Sequence, residues 1–244
     1  MQHIPSRLAL VTGANKGIGF EIARQLGKAG VHVLLGARDA RFGAAAASAL
    51  RAEGIAGDFV LIDLNDGVTL RAAAMAIESE HGCLDILVNN AGCRDKADGL
   101  PGQADIDAVR HVFEVNFFGS LAVTQAMLPL LRKSSSARIV NVSSELGSLS
   151  LNSDQDWEFA HVKLLGYNAS KAALNMFTVL LAAELRGTGI KVNAANPGFT
   201  ATDLNGHRGH LTAAQGAVSA TRLALLDGGG PTGGFFSADQ PAPW

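Results

Sequence analysis

Short runs rich in β-branched residues or leucine alternate along the chain with longer segments in which apolar positions recur every three to four residues. The short runs predict strands at Leu8 to Thr12, Val31 to Gly36, Phe59 to Asp63, Ile86 to Asn89, Arg138 to Ser143, Lys191 to Ala194 and Gly234 to Phe236. The longer segments predict helices at Gly17 to Ala29, Ala40 to Glu53, Thr69 to His81, Ala104 to Lys133 with a break near Asn116, Gly166 to Arg186, and Thr212 to Leu226. Apolar strands alternating with helices are the signature of βαβ units, so the expected fold class is α/β, a doubly wound parallel sheet with helices on both faces. Right-handed crossovers in such a sheet bring ligands to the carboxyl ends of the strands. Met75, Met127 and Met176 lie in apolar helical patterns and are expected in the core.

With 244 residues, 48% of them hydrophobic and 17% charged, the chain is long enough to form one large domain spanning 1–244. Its formal charge of -2 and its 20 scattered Lys and Arg leave no basic footprint, which sets nucleic-acid partners aside. Met1 to Arg7 has no basic segment followed by an apolar stretch, and no apolar run approaches the ~18 residues of a membrane span. A soluble cytoplasmic protein with no membrane partner is the expectation. Cys83 and Cys93 form no CxxC pair and read as reduced structural thiols. His207 and His210 have no third ligand nearby, so no metal site is expected.

The first strand runs into Thr12-Gly13-Ala14-Asn15-Lys16-Gly17-Ile18-Gly19, and a helix follows. Glycine there lets backbone come close to a pyrophosphate, and the free N–H groups and dipole of the helix favour its negative charge. The end of the second strand reads Gly36-Ala37-Arg38-Asp39. An arginine at this place suits a 2′-phosphate, and Lys16 adds a second cation. Asp39 keeps an NAD-dependent alternative open, and Asp63-Leu64, after the third strand, is expected near the adenine.

Tyr167, the only tyrosine, stands four residues before Lys171 at the start of a helical pattern. Residues four apart share a helix face. An ammonium beside a phenol favours the phenolate, which predicts a pKa below the usual ~10, with burial working the other way.

Thr12-Gly13-x-x-x-Gly17-x-Gly19, Asp63, Asn89-Asn90-Ala91-Gly92, Asn116, Ser143-Ser144, Tyr167-x-x-x-Lys171 and Pro197-Gly198 follow one another in the order and context of the short-chain dehydrogenase/reductase family, which the chain resembles over nearly its whole length. Within that family it looks most like the NADPH-dependent carbonyl reductases. The resemblance implies a single-domain Rossmann-type fold of about seven strands and an enzyme that reduces a ketone or aldehyde to an alcohol with NADP(H). It implies Tyr167 as general acid, Lys171 as the group that lowers the phenol pKa and binds the nicotinamide ribose, Ser144 as the holder of the carbonyl oxygen, and Asn116 as the anchor of a water relay. Ser143 is then a structural neighbour. Gly13, Asn15, Lys16, Gly17, Ile18, Gly19, Arg38, Asp63, Leu64, Asn90, Ala91 and Gly92 line the cofactor, with Pro197 and Gly198 leading to Thr200 and Thr202 at the carboxamide.

One departure from the family stands out: Ser144 and Tyr167 are 23 positions apart, about ten more than is usual by motif comparison. The insertion, around 145–165, carries Trp157 and Phe159, expected with Cys93 and Phe199 around the substrate. A substrate loop is expected at 199–212. The insertion either walls the pocket or blocks a helix face used for assembly, so monomer, homodimer and homotetramer are all compatible with the sequence. An NAD-dependent alcohol dehydrogenase and a catalytically silent dinucleotide sensor are the rival readings.

Overall fold

The computed structural model describes residues 7–244; Met1 to Ser6, part of the stretch read above for a leader, lies outside the described residues. Seven parallel strands, β1 (Leu8–Thr12), β2 (His32–Ala37), β3 (Gly57–Leu61), β4 (Ile86–Asn89), β5 (Arg138–Val142), β6 (Lys191–Asn196) and β7 (Phe235–Ser237), pair in the order β3-β2-β1-β4-β5-β6-β7. A two-residue β8 (Gln240–Pro241) adds antiparallel to β7, too short to leave a periodic signal in the sequence. The chain order reverses between β1 and β4, the point where doubly wound sheets open a crevice.

The helices are α1 (Gly17–Lys28), α2 (Ala40–Ala52), α3 (Gly67–His81), α4 (Ile106–Phe113), α5 (Ser120–Leu131), α6 (Leu149–Ser153), α7 (Leu165–Glu184), α8 (Ala213–Gly216) and α9 (Val218–Ala224). Ser148 and Thr212 cap the short α6 and α8, and three longer helices start in the same way. Asp39, Asp66 and Asp105 each cap their helix by accepting from first-turn N–H groups. The expected break near Asn116 is a π-helical turn, Glu114–Gly119, between α4 and α5. The segment expected as one helix from Thr212 divides into α8 and α9 around Ala217, and the insertion holds the unexpected α6.

β3 begins and ends two residues earlier than expected. Its last partner pair is Ala37 with Leu61, after which Asp63 turns: its N–H donates to the Thr69 hydroxyl (3.0 Å) and its carboxylate accepts from Asn65 N (3.0 Å).

Alternate strand residues feed two cores, one on each face. Ala9, Val11, Ile86, Val88, Val140 and Val142 pack with α1, α2 and α9, whereas Leu8, Leu10, Leu87 and Ile139 pack with α3, α5 and α7. Met127 is buried, but Met75 and Met176 are exposed. They sit on the solvent faces of α3 and α7, whose buried positions are Leu70, Ala73 and Ile77, and Leu174, Thr178 and Leu181. No helix among the described residues is long and apolar enough to cross a membrane.

Thr12 at the end of β1 binds the turn after β4. Its hydroxyl accepts from Asn90 N (3.0 Å) and Ala91 N (3.1 Å), while Asn90 Nδ2 donates to Thr12 O (2.9 Å). Thr12→Val keeps the shape and orphans two N–H groups, so unfolding free energy should fall by about 2 kcal/mol, the usual cost of unmade buried hydrogen bonds. Urea unfolding measures it, with Thr12→Ser expected to hold most of the stability; an unchanged midpoint for Thr12→Val would contradict the role given to this hydroxyl.

Candidate active site

The cofactor and catalytic residues expected from the sequence follow the carboxyl ends of β1 to β6 or lie at the start of α7. At β1 the glycine turn enters α1, whose N-cap, Lys16, supplies no side-chain acceptor to the first-turn N–H groups. That open helix end fits an anionic group such as a dinucleotide pyrophosphate. A β-carbon on Gly19 would stand 2.4 Å from Asn90 Nδ2 and 2.5 Å from Gly13 O, so glycine here also keeps the turn pressed against the β4 loop. Arg38, at the end of β2, is exposed and forms no ion pair among the described residues. Asp39 points its carboxylate into α2, where one oxygen accepts from Arg41 N (2.9 Å) and Phe42 N (3.1 Å). Asp63 caps its own turn, and Leu64 packs on Gly119 of the π turn.

Asn116 is fully buried in that π turn. Its Oδ1 accepts from Cys93 N (2.8 Å), and its Nδ2 donates to Cys93 O (3.1 Å) and to Ser170 Oγ (3.0 Å), so one amide joins the β4 loop to α7. Ser143 is turned inward and donates to Asn175 Oδ1 (2.5 Å), as a structural neighbour should, whereas Ser144 faces the site and accepts from Leu146 N (3.2 Å). Beyond Ser144 a short 3-10 turn, Glu145–Gly147, lies directly on α7. A β-carbon on Gly147 would be 2.7 Å from the Lys171 carbonyl carbon, which leaves glycine as the residue that admits this approach.

Tyr167 and Lys171 both lie on the buried face of α7, with Nζ 5.8 Å from the phenol ring centroid. Nζ donates to Val142 O (2.8 Å) at the end of β5. Gly92 lies between Asn116 and Lys171, since a β-carbon there would be 3.2 Å from Oδ1 and 3.6 Å from Nζ. Burial pushes the Lys171 ammonium down to about 8, against a small opposing pull from Cys93.

The phenol departs from the expectation. Burial pushes Tyr167 above its ordinary range; the Ser144 hydroxyl and then the Arg94 guanidinium pull it down, and Cys93 pushes it up. The Lys171 ammonium, itself lowered to about 8 by burial, does not offset the rise. Desolvation, the opposing effect weighed in the sequence, prevails in the cofactor-free protein. Cys93 is also pushed up by burial and so is a poor nucleophile, and its Sγ is 3.9 Å from His111 Nε2.

The insertion and the loop after β6 meet over this end of the sheet. Trp157 and Phe159 have ring centroids 5.6 Å apart, Phe159 and Phe199 5.6 Å, and Phe199 and His210 5.8 Å. Thr200 is buried and donates to Pro197 O (2.8 Å), whereas Thr202 faces Gly17. Lys16, expected to meet a phosphate, instead pairs with Asp203 of the loop (2.5 Å), which also pairs with His207 (2.8 Å). No metal-binding cluster occurs among the described residues. A cavity of about 230 Å³ lies on another face of α7, lined by Leu146, Leu165, Asn168 and Ala172, and includes neither Tyr167 nor Lys171.

Three groups escaped the sequence reading. Arg94 lies close enough to bias the phenol, and Glu145, raised by burial, accepts from Asn196 Nδ2 (2.6 Å). Asp98 accepts from the N–H groups of Gly166 (2.8 Å) and Tyr167 (2.9 Å). Only the Asp98-Gly99 turn signal was visible, and it says nothing of a partner 68 residues away.

Residues 7–211 match the family model described as short chain dehydrogenase. Short-chain dehydrogenase/reductase 1 of Saponaria officinalis is 33% identical over 293 residues, covering 98% of this chain and 96% of that protein. Carbonyl reductase (NADPH) 1 of Mus musculus is 33% identical over 276 residues, covering 97% of this chain and 98% of that protein. The solved structure of NADPH-bound carbonyl reductase from chicken fatty liver is similar with a TM-score of 0.85 at 27% identity, covering 98% of this chain and 99% of that one.

As the only tyrosine, Tyr167 can be titrated by absorbance without an assignment problem. In the cofactor-free protein it should ionise above the usual ~10, and Lys171→Met should leave that midpoint nearly in place, because the lysine is already neutral there. A midpoint below ~10, or a large change in Lys171→Met, would restore the cation as the controlling influence.

Proposed function

The chain belongs to the short-chain dehydrogenase family, and on that premise we propose that it is an NADPH-dependent carbonyl reductase, converting ketones or aldehydes to alcohols. The carrying observation is the convergence of Ser144, Tyr167, Lys171 and Asn116 beside an open helix N-terminus and an Arg38 without an ion pair among the described residues. Oxidoreductases of this family use a nicotinamide dinucleotide and act on small molecules. When bound, NADPH supplies the hydride.

Gly13 to Gly19 would hold the pyrophosphate, Arg38 the 2′-phosphate, and Lys171 the nicotinamide ribose. The free N–H groups of α1 suit the first of these, and a forked guanidinium suits the second. Asp39 favours NADPH by default, since its carboxylate is engaged in the α2 cap and is drawn away from a ribose 2′-hydroxyl. Tyr167 donates its phenolic proton to the substrate oxygen as charge develops there. Ser144, already the hydroxyl that most lowers the phenol pKa, steadies the same oxygen. A phenol held protonated by burial is a competent proton donor at neutral pH; the reverse reaction requires the bound cofactor's charge to offset desolvation. Asn116 orients Ser170 and the Cys93 backbone around Lys171.

NADPH oxidation measured against a panel of aldehydes, diketones, ketoesters and quinones tests the reading directly, and no turnover with any of them would overturn it. Arg38→Asp should cut kcat/KM with NADPH by about ten- to a hundredfold, the worth of one or two charge-assisted bonds, and narrow or reverse the preference over NADH. Higher kcat/KM for NADH in the parent enzyme would refute the cofactor assignment.

The aromatic row from Trp157 to Phe199 supports a pocket wall built by the insertion. Replacing Trp157 and Phe159 together with Ala should change kcat/KM ratios between bulky and small ketones while NADPH affinity holds. Equal effects on all substrates would reduce the insertion to a surface loop.

A further inference from the structure

We propose that Asp98 is a positioning residue for the proton donor, a carboxylate on the β4 loop that sets where the first turn of α7 places Tyr167. This rests on the reading of Tyr167 as the general acid. The first turn of a helix leaves N–H groups without partners inside the helix. α7 has no side-chain cap of its own, because its N-cap is Leu164. The β4 loop supplies what is missing: Gly99 O accepts from Leu165 N (2.8 Å), Asp98 Oδ1 from Gly166 N (2.8 Å) and Oδ2 from Tyr167 N (2.9 Å). Both carboxylate oxygens are thus spent on two consecutive N–H groups, and the second belongs to the tyrosine itself.

The restraint bears on Tyr167 more than on Lys171. Lys171 lies one turn deeper, where Nζ is held by Val142 O and Gly147 presses on the backbone. Tyr167 has neither support; the Ser170 hydroxyl donates to its carbonyl (2.8 Å), while Asp98 holds its N–H and the Ser144 side its phenol. The same loop passes through Cys93, whose N–H and C=O are both bonded to Asn116. One segment therefore joins the β4 end of the cofactor floor to the backbone of the proton donor. A carboxylate at a helix N-terminus also gains from the helix dipole, which makes the contact a stable one.

Titration of the lone tyrosine in the cofactor-free protein provides a test that needs no activity. Asp98→Ala should free the first turn, admit water to the phenol and move its midpoint down toward ~10, with Asp98→Asn, which keeps one acceptor, in between. Asp66→Ala, which removes the cap of α3, should lower stability without moving the phenol. With a turned-over carbonyl, Asp98→Ala should lower kcat by about ten- to a hundredfold, the scale of a small misplacement of a reacting group, with NADPH affinity retained. Should Asp98→Ala not fold, Asp98→Asn is read in its place. An unmoved phenol in the folded variant, or an equal shift in Asp66→Ala, overturns the proposal. If the parent oxidises NADPH with no carbonyl, the functional reading fails while the titration still decides whether Asp98 holds Tyr167.

Discussion

One buried ammonium sets the terms for the site. Lys171 is 4% exposed, and its hydrogen bond to Val142 O is the contact that repays part of the cost of taking a charge out of water. To make it, α7 must lie against the end of β5, and Gly147 must let the intervening turn approach the helix backbone. Asn116 must close the other side, and the π turn is the local deformation that aims its amide inward. The cost remains visible in the lysine's own acidity, lowered to about 8. Between that value and its ordinary 10.5 the folded chain binds fewer protons at Lys171 than the unfolded chain. Stability from this group therefore rises with pH across that window, and the burial penalty is borne in full below it.

The same burial changes the meaning of the Tyr167–Lys171 pair. Considered as two side chains on a helix, the ammonium should make the phenol more acidic. In the folded chain desolvation acts on both in opposite senses, lowering the lysine and raising the tyrosine, so the cation is lost before the phenolate forms. A protonated phenol suits the proton-donor role proposed for Tyr167.

The insertion and the loop after β6 are tied into this arrangement. Phe159 of the insertion packs tilted against Phe199, and Lys16 reaches from the glycine turn to Asp203, so the loop after β6 touches both the insertion and the glycine turn. The ion pair is exposed and contributes little by itself. Its importance is geometric, since it ties the glycine turn to the loop after β6.

Alternating apolar runs and helical periods were enough to place all seven parallel strands and the main helices, because two-sided burial demands apolar residues at nearly every strand position. Local chemistry was equally readable: glycines at the first turn and a polar Asn116 where the helix deforms. Ordered motifs carried the family. Tertiary structure alone decided the direction of the Tyr167 shift, the diversion of Asp39 into a cap, the pairing of Lys16 with Asp203, the exposure of Met75 and Met176, and the hold of Asp98 on α7. These depend on how much water each group loses and on partners up to 187 residues away. Periodicity and spacing report which face a residue occupies along its own element; desolvation and long-range contact arise only when elements pack.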